Sequence, residues 1–242
     1  PEAIVDFDIT EAGRSVGLAF LASGKFFLIN NGPYFRSFDL PHYDARAMVS
    51  TEGGQAIAAE LEDTLRYDFG MGSNVMAYPG PARAQNCRVP LDYDRWIPSV
   101  LLLTHYLPDD PKASQAINLA SLMLGNNGIW GDLPGLSAAG IEFLARTLAC
   151  YKRVRDKITR ASLVRTGTPG SSPEIYEKID SQTGCGLVCA FSSARGTFPY
   201  VPVARRVGPI ATSYNTDAQR RASPVLTFRF PERGAAFALF GP

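Results

Sequence analysis

Histidine and cysteine are scarce in this chain, and each scarcity removes a class of chemistry. Only two of the 242 residues are histidines, His42 and His105. A metal site built on several imidazoles is therefore excluded, and a Ser-His-Asp triad has few ways to form. The four cysteines, Cys87, Cys150, Cys185 and Cys189, are too few and too irregularly spaced for a disulfide framework or a zinc ribbon. Cys185 and Cys189 fall on one face of a strand-like run, where neighbours along one strand pair poorly as a disulfide, so they are expected to be free, buried thiols. An excess of either charge is missing too. The 24 Lys and Arg against 23 Asp and Glu leave a formal net charge of +1. No overall field then favours nucleic acid or an anionic membrane, and the expected partner is a small or neutral molecule. No stretch reaches the ~18 consecutive apolar residues of a membrane span, and no signal-peptide pattern opens the sequence. Location is left open.

What is present is a globular composition, 45% hydrophobic and 19% charged, enough for one large core or two smaller ones. Residues 3–9 read as a buried strand, 13–23 as a short helix, and 25–30 as a second strand closed by the turn Asn30-Asn31-Gly32-Pro33. Thr51 opens a helix in which Ile57, Leu61 and Leu65 recur every four residues, and a third strand, 74–78, stops at Pro79-Gly80-Pro81. The apolar run 100–107 fits either a strand or a buried helix. A helix over 112–124 precedes a strand over 127–133. Ser137 then caps a long helix with the stripe Ile141, Leu144, Leu148, Tyr151, Val154 and Ile158. The basic cluster Lys152, Arg153, Arg155 and Lys157 lies in that helix's last turns, where cations complement its dipole. Such alternation predicts an α/β class with a parallel sheet. After about residue 160 glycine, proline, serine and threonine become frequent, and strands are predicted at 175–179, 186–192, 198–203, 226–230 and 235–239. The expected organisation is an α/β unit over residues 1–160 and a small antiparallel β-sandwich over 161–242.

With histidine scarce, carboxylates carry the acid-base chemistry. In a barrel of alternating strands and helices the reactive groups sit at the C-terminal strand ends. Asp8 and Asp6 share a face of the first strand near its end. Asp8 there suits the nucleophile of a retaining glycosidase; the competing reading is a structural carboxylate capping the helix near Gly13. Asn30, Asn31 and Tyr34 offer amides and a phenol suited to sugar hydroxyls, although Asn-Gly is also simply a turn former. Trp130 presents an indole face for a sugar ring and Asp132 an acceptor for its hydroxyls; a buried Trp beside a loop Asp is the alternative. Asp92 or Asp94 is the candidate proton donor to a leaving group, against an exposed loop whose ion pair with Arg95 is worth under ~1 kcal/mol. His105 is read as a hydrogen-bonded core residue, and Asp109 and Asp110, before Pro111, as helix-start acids.

Three stretches carry a resemblance: residues 125–137 (GNNGIWGDLPGLS), the helical Tyr151-Lys152-Arg153-Val154-Arg155-Asp156, and residues 173–201 (PEIYEKIDSQTGCGLVCAFSSARGTFPYV). The chain resembles the C-terminal half of α-galactosidase-like glycoside hydrolases of the family 36 type and their clan relatives. The resemblance implies a partial (β/α)8 barrel, about strands 4 to 8, followed by a small antiparallel β-sandwich. It implies an Asp nucleophile at the end of the fourth barrel strand, matched by Asp8 after Phe7, and an Asp acid/base after the sixth. Where the family has a Lys two residues before the nucleophile this chain has Asp6, and Thr10 stands where an Arg or Asn follows. The family's Ser-Asp pair after the sixth strand has no counterpart, leaving Asp92 or Asp94 to substitute. The implied activity is retaining hydrolysis of α-linked galactosides or related glycosides, with no cofactor and no metal. A carbohydrate is the implied partner, with association to a missing N-terminal part or a second copy, since a half-barrel exposes strand edges. The alternatives are a carbohydrate-binding or scaffold protein on the same fold, an inactive fragment of the enzyme, or an inverting or lyase-type enzyme with carboxylates ~6.5 to 9.5 Å apart.

Overall fold

Four strands run parallel in chain order: β1 (Asp6–Asp8), β2 (Phe26–Leu28), β3 (Val100–Tyr106) and β4 (Asn126–Gly131). The computed structural model describes residues 6–8, 26–28, 88, 91, 100–106, 112–131, 134–167, 172–219, 224–232 and 234–242. The helices expected at 13–23 and 51–67 and the strand at 74–78 lie outside these. The ambiguous run 100–107 is a strand, bonded in parallel to β2 on one side and β4 on the other. A strand flanked on both sides in a parallel sheet reads as a continuous apolar run, which is why its periodicity is silent.

Helix α1 (Lys112–Leu122) links β3 to β4, and α2 (Ala138–Arg160) follows β4. Ser137 caps α2 as expected, its Oγ accepting from the Gly140 N–H at 3.1 Å. Ser137→Ala should lower stability by about 1 kcal/mol in urea titration, the usual value of such a cap. The apolar stripe of α2 is rotated in its first half relative to the expected one. Gly140, Phe143 and Thr147 face inward, Leu144 and Leu148 are half-buried, and Ile141 is 45% exposed; from Tyr151 onward Val154 and Ile158 are buried as expected. Gly140 stands close to α1: a Cβ built there would lie 2.8 Å from Gln115 Oε1, so a larger residue would make the end of the Gln115 side chain move. Lys157 and Arg160 fill the last turn, and Lys152, Arg153 and Arg155 are exposed.

The rest of the chain forms two antiparallel sheets. The five-stranded sheet has the order β5 (Val164–Thr166), β6 (Glu174–Ile179), β7 (Gly186–Ser192), β12 (Gly234–Phe240), β9 (Ile210–Tyr214). The three-stranded sheet has β11 (Val225–Phe230) between β10 (Thr216–Gln219) and β8 (Gly196–Tyr200). Five of these eight strands were expected. β5, β9 and β10, which were not, are short or polar and stand at sheet edges. Pro199 lies on another edge strand, β8, where a missing N–H costs no ladder bond and discourages further pairing.

The central strands β6, β7 and β12 of the five-stranded sheet are buried on both faces. Toward the helices, Leu187, Cys189 and Phe191 of β7 and Ala235, Phe237 and Leu239 of β12 join a core with Ala116, Leu119 and Ala120 of α1, Met123 just after it, and the inward face of α2. Toward the second sheet, Val188, Ala190, Ala236, Ala238 and Phe240 meet Leu226, Phe228 and Phe230. Among the described residues Cys150, Cys185 and Cys189 are free, the last two buried on the helix side. Burial pushes the Cys189 thiol well above its ordinary range, and it donates to the Ala120 carbonyl at 3.4 Å.

β6 and β7 are joined by a tight turn. Asp180 Oδ1 accepts from the Thr183 N–H at 2.7 Å and hydroxyl at 2.6 Å, which holds the Asp180 carboxyl below its usual range. At the foot of the turn a Cβ on Gly186 would lie 2.2 Å from the Lys178 carbonyl oxygen. Gly186→Ala must therefore push the two strands apart and should cost about 3 kcal/mol, read as a lowered urea midpoint.

Candidate functional site

Because β1 to β4 are parallel, their C-terminal ends lie along one edge. Register aligns Asp8 with Leu28, Leu28 with Leu101, and Leu101 with Asn126, after which β3 and β4 continue paired through His105 with Trp130 to Tyr106 with Gly131. Asp8 thus ends β1, with Asp6 two residues earlier, and Trp130 is the penultimate residue of β4. Three strand spacings separate β1 from β4, roughly 14 Å across the sheet. Asn30, Asn31, Tyr34, Asp92, Asp94 and Asp132 lie outside the described residues, as do Asp109 and Asp110. In sequence Asn30 and Asn31 come just after β2, and Asp132 directly after β4.

The densest polar constellation among the described residues is one that the sequence did not suggest. Arg88 and Glu174, 86 positions apart, form a buried fork: Nε to Oε1 at 2.7 Å and Nη2 to Oε2 at 3.1 Å. Arg88 Nη1 donates to Ser121 Oγ of α1 at 2.8 Å, and that hydroxyl donates to the Ile117 carbonyl at 2.7 Å. The Tyr176 hydroxyl donates to Glu174 Oε1 at 2.5 Å. Burial first, and the Glu174 charge second, push the Tyr176 phenol far above its ordinary range, so it stays a donor at any working pH. The Arg88 guanidinium also stacks 3.7 Å from the Phe191 ring centroid. A pair this distant in sequence leaves no local signal.

A second buried carboxylate, Glu177, holds the chain that leaves β8. It accepts from the Tyr200 hydroxyl and from the Val203 and Ala204 N–H groups, each at 2.8 Å. The Tyr151 hydroxyl donates to the Gly125 carbonyl, tying α2 to the turn before β4, and burial raises its ionisation far above the ordinary phenol. Lys112, opening α1, stands 5.5 Å from the Phe143 ring and 5.8 Å from the Tyr214 ring. Among the described residues no group of three His, Cys, Asp or Glu side chains is placed to hold a metal ion, and no helix is long and apolar enough to cross a membrane.

No protein-family model matches the sequence, and comparison with curated proteins gives no match. Solved structures do resemble it. A GH36 α-galactosidase AgaA variant from Geobacillus stearothermophilus, in complex with raffinose, is similar with a TM-score of 0.46 and 14% identity, over 71% of this chain and 27% of that one. The GH36 α-galactosidase AgaB of the same organism gives a TM-score of 0.38 and 15% identity, over 78% of this chain and 25% of that one. A debranching enzyme from Nostoc punctiforme gives 0.36 and 12%, over 75% of this chain and 40% of that one. The chain spans about a quarter of the length of the α-galactosidases it resembles.

Proposed function

We propose that residues 1–160 form the C-terminal part of a (β/α)8 barrel, and residues 161–242 a β-sandwich, in a glycoside hydrolase that cleaves α-linked galactosides by a retaining mechanism. The observation that carries this reading is the strand order β1-β2-β3-β4, all parallel, with Asp8 at the C-terminal end of β1. In an eight-stranded barrel of shear 8 the strands tilt, so the rim crosses each successive strand about one residue farther along. Asp8 is aligned with Asn126 across the sheet. Three strand steps on, the rim level on β4 falls near Ile129, beside Trp130. A closed (β/α)8 barrel needs strands beyond the four among the described residues.

In this reading Asp8 attacks the anomeric carbon, the glycosidic C–O bond breaks, and an acid protonates the departing oxygen. The same group, now a base, takes a proton from the water that releases the sugar from Asp8. Asp6, Asn30, Asn31, Tyr34 and Trp130 bind the sugar. For the acid/base, chain order bears on Asp92 and Asp94. They follow buried Leu91 and precede β3, on the path to its N-terminal end. The segments that leave the C-terminal ends carry Asp109 and Asp110 after β3 and Asp132 after β4. Chain order therefore favours a carboxylate from these later segments over Asp92 and Asp94.

The test is incubation with an aryl α-galactoside, raffinose and stachyose, with the anomer of any released galactose followed by NMR. Catalytic release with retained configuration supports the reading. Saturable sugar binding without release would instead make the chain a carbohydrate-binding protein, and neither binding nor release would overturn both.

A further inference from the structure

The Arg88 guanidinium joins three parts of the molecule: the segment ahead of β3, helix α1 through Ser121, and the antiparallel sheet through Glu174 and Phe191. α1 meets the sheet through Ala116, Leu119 and Ala120, apolar contacts that are non-directional and specify no distance or plane against a slide along the helix axis. A bidentate ion pair tolerates no such slide, because its two hydrogen bonds fix both distance and plane. Nor is a buried pair needed for stability alone, since well-packed apolar residues of similar volume often serve as well or better.

We propose that the Arg88–Glu174 pair is a positioning lock, through which the antiparallel sheet fixes the placement of α1 and of the chain entering β3. The sheet acts on the candidate site indirectly, through the end of α1 that carries Ser121 and through the segment ahead of β3. Only the clause about the site rests on the glycosidase reading; the lock does not.

The decisive experiment is hydrogen exchange on the full chain carrying Arg88→Lys, which keeps the charge but loses the fork, and on the double variant Arg88→Met with Glu174→Met, which removes both charges. The lock predicts that amides of α1 and β3 exchange about tenfold faster or more in both, while those of β8 and β11 keep their rates and the thermal midpoint of the double variant stays near that of the unmodified chain. If the chain hydrolyses galactosides, kcat should also fall about tenfold in Arg88→Lys at unchanged fold content. Unchanged exchange in α1 and β3, or a uniform rise through all strands, would overturn the lock. Exchange reads the lock whether or not the chain is active, so its failure and the failure of the glycosidase reading are separable.

Discussion

Replacing Asp8 by asparagine is expected to lower turnover of an aryl α-galactoside by a factor on the order of 10⁴ or more, at an unchanged thermal midpoint. Asparagine has nearly the same shape as aspartate, and the β1–β2 ladder is made by backbone groups, so nothing in the pairing of Asp8 with Leu28 is disturbed. In the proposed mechanism what is lost is the anionic oxygen that bonds to the anomeric carbon. Without it no glycosyl-enzyme forms, and water would have to displace the leaving group at the anomeric carbon directly, with no covalent relay. Asp6→Asn, two residues earlier, should act mainly on KM, because the proposed role of Asp6 is contact with bound sugar. Mass spectrometry with an activated fluorosugar gives the second measurement: a single covalent adduct in the unmodified chain and none in Asp8→Asn. Turnover within tenfold of the original would remove Asp8 from the mechanism.

Phe237→Ala should cost about 3 to 5 kcal/mol, among the largest stability losses expected of side-chain truncations at the described residues. Phe237 is fully buried in β12, aligned with Cys189 on one side and Tyr214 on the other. Its ring stacks with Tyr214 at 5.9 Å and stands 6.5 Å from Phe143 of α2. The cavity would open where helix layer and sheet meet, and neither side has freedom to close it. The opposite face of β12 is held by Ala236, Ala238 and Phe240 against the second sheet, so β12 cannot shift toward α2 without opening a gap there. Urea titration should show a lower midpoint at unchanged slope. Val203→Ala, at a site 64% exposed, should stay within about 0.5 kcal/mol and serves as the control. A loss under about 1 kcal/mol for Phe237→Ala would mean that this interface is not the principal core.

How much of this was legible depends on the range of each signal. The described parts of β1, β2 and β4 and all of α2 stood out because apolar runs, turn residues and a capping serine are local. The runs 186–192 and 235–239 were legible only as strands; their burial on both faces, against the helices on one side and the second sheet on the other, came with the structure. The edge strands β5, β9 and β10 were illegible because short, half-exposed strands owe their conformation to a neighbour. The rotation of the α2 stripe was illegible because which face a helix buries is settled by its tertiary neighbours, here the core shared with α1 and the sheet. Carboxylates near strand ends can be read from sequence, and Asp8 does end β1; its part in a site is the proposal made above. Arg88 and Glu174 could not be paired by eye, since a surface arginine and a strand-borne glutamate look ordinary until the chain closes on them.

The place of β12 has a bearing on how the molecule comes into being. It follows every other strand in the chain, yet its place is interior, between β7 and β9. On the ribosome, α1, α2 and β7 emerge well before residues 234–240, and the parts of their apolar faces that meet β12 stay uncovered until that segment arrives. Synthesis at about 5 to 20 residues per second leaves this gap open for several seconds, long enough for chaperones or for neighbouring chains to occupy it. The final strand is thus a keystone delivered last, and a nascent chain stalled anywhere before Gly234 should be recovered bound to a chaperone or in aggregates.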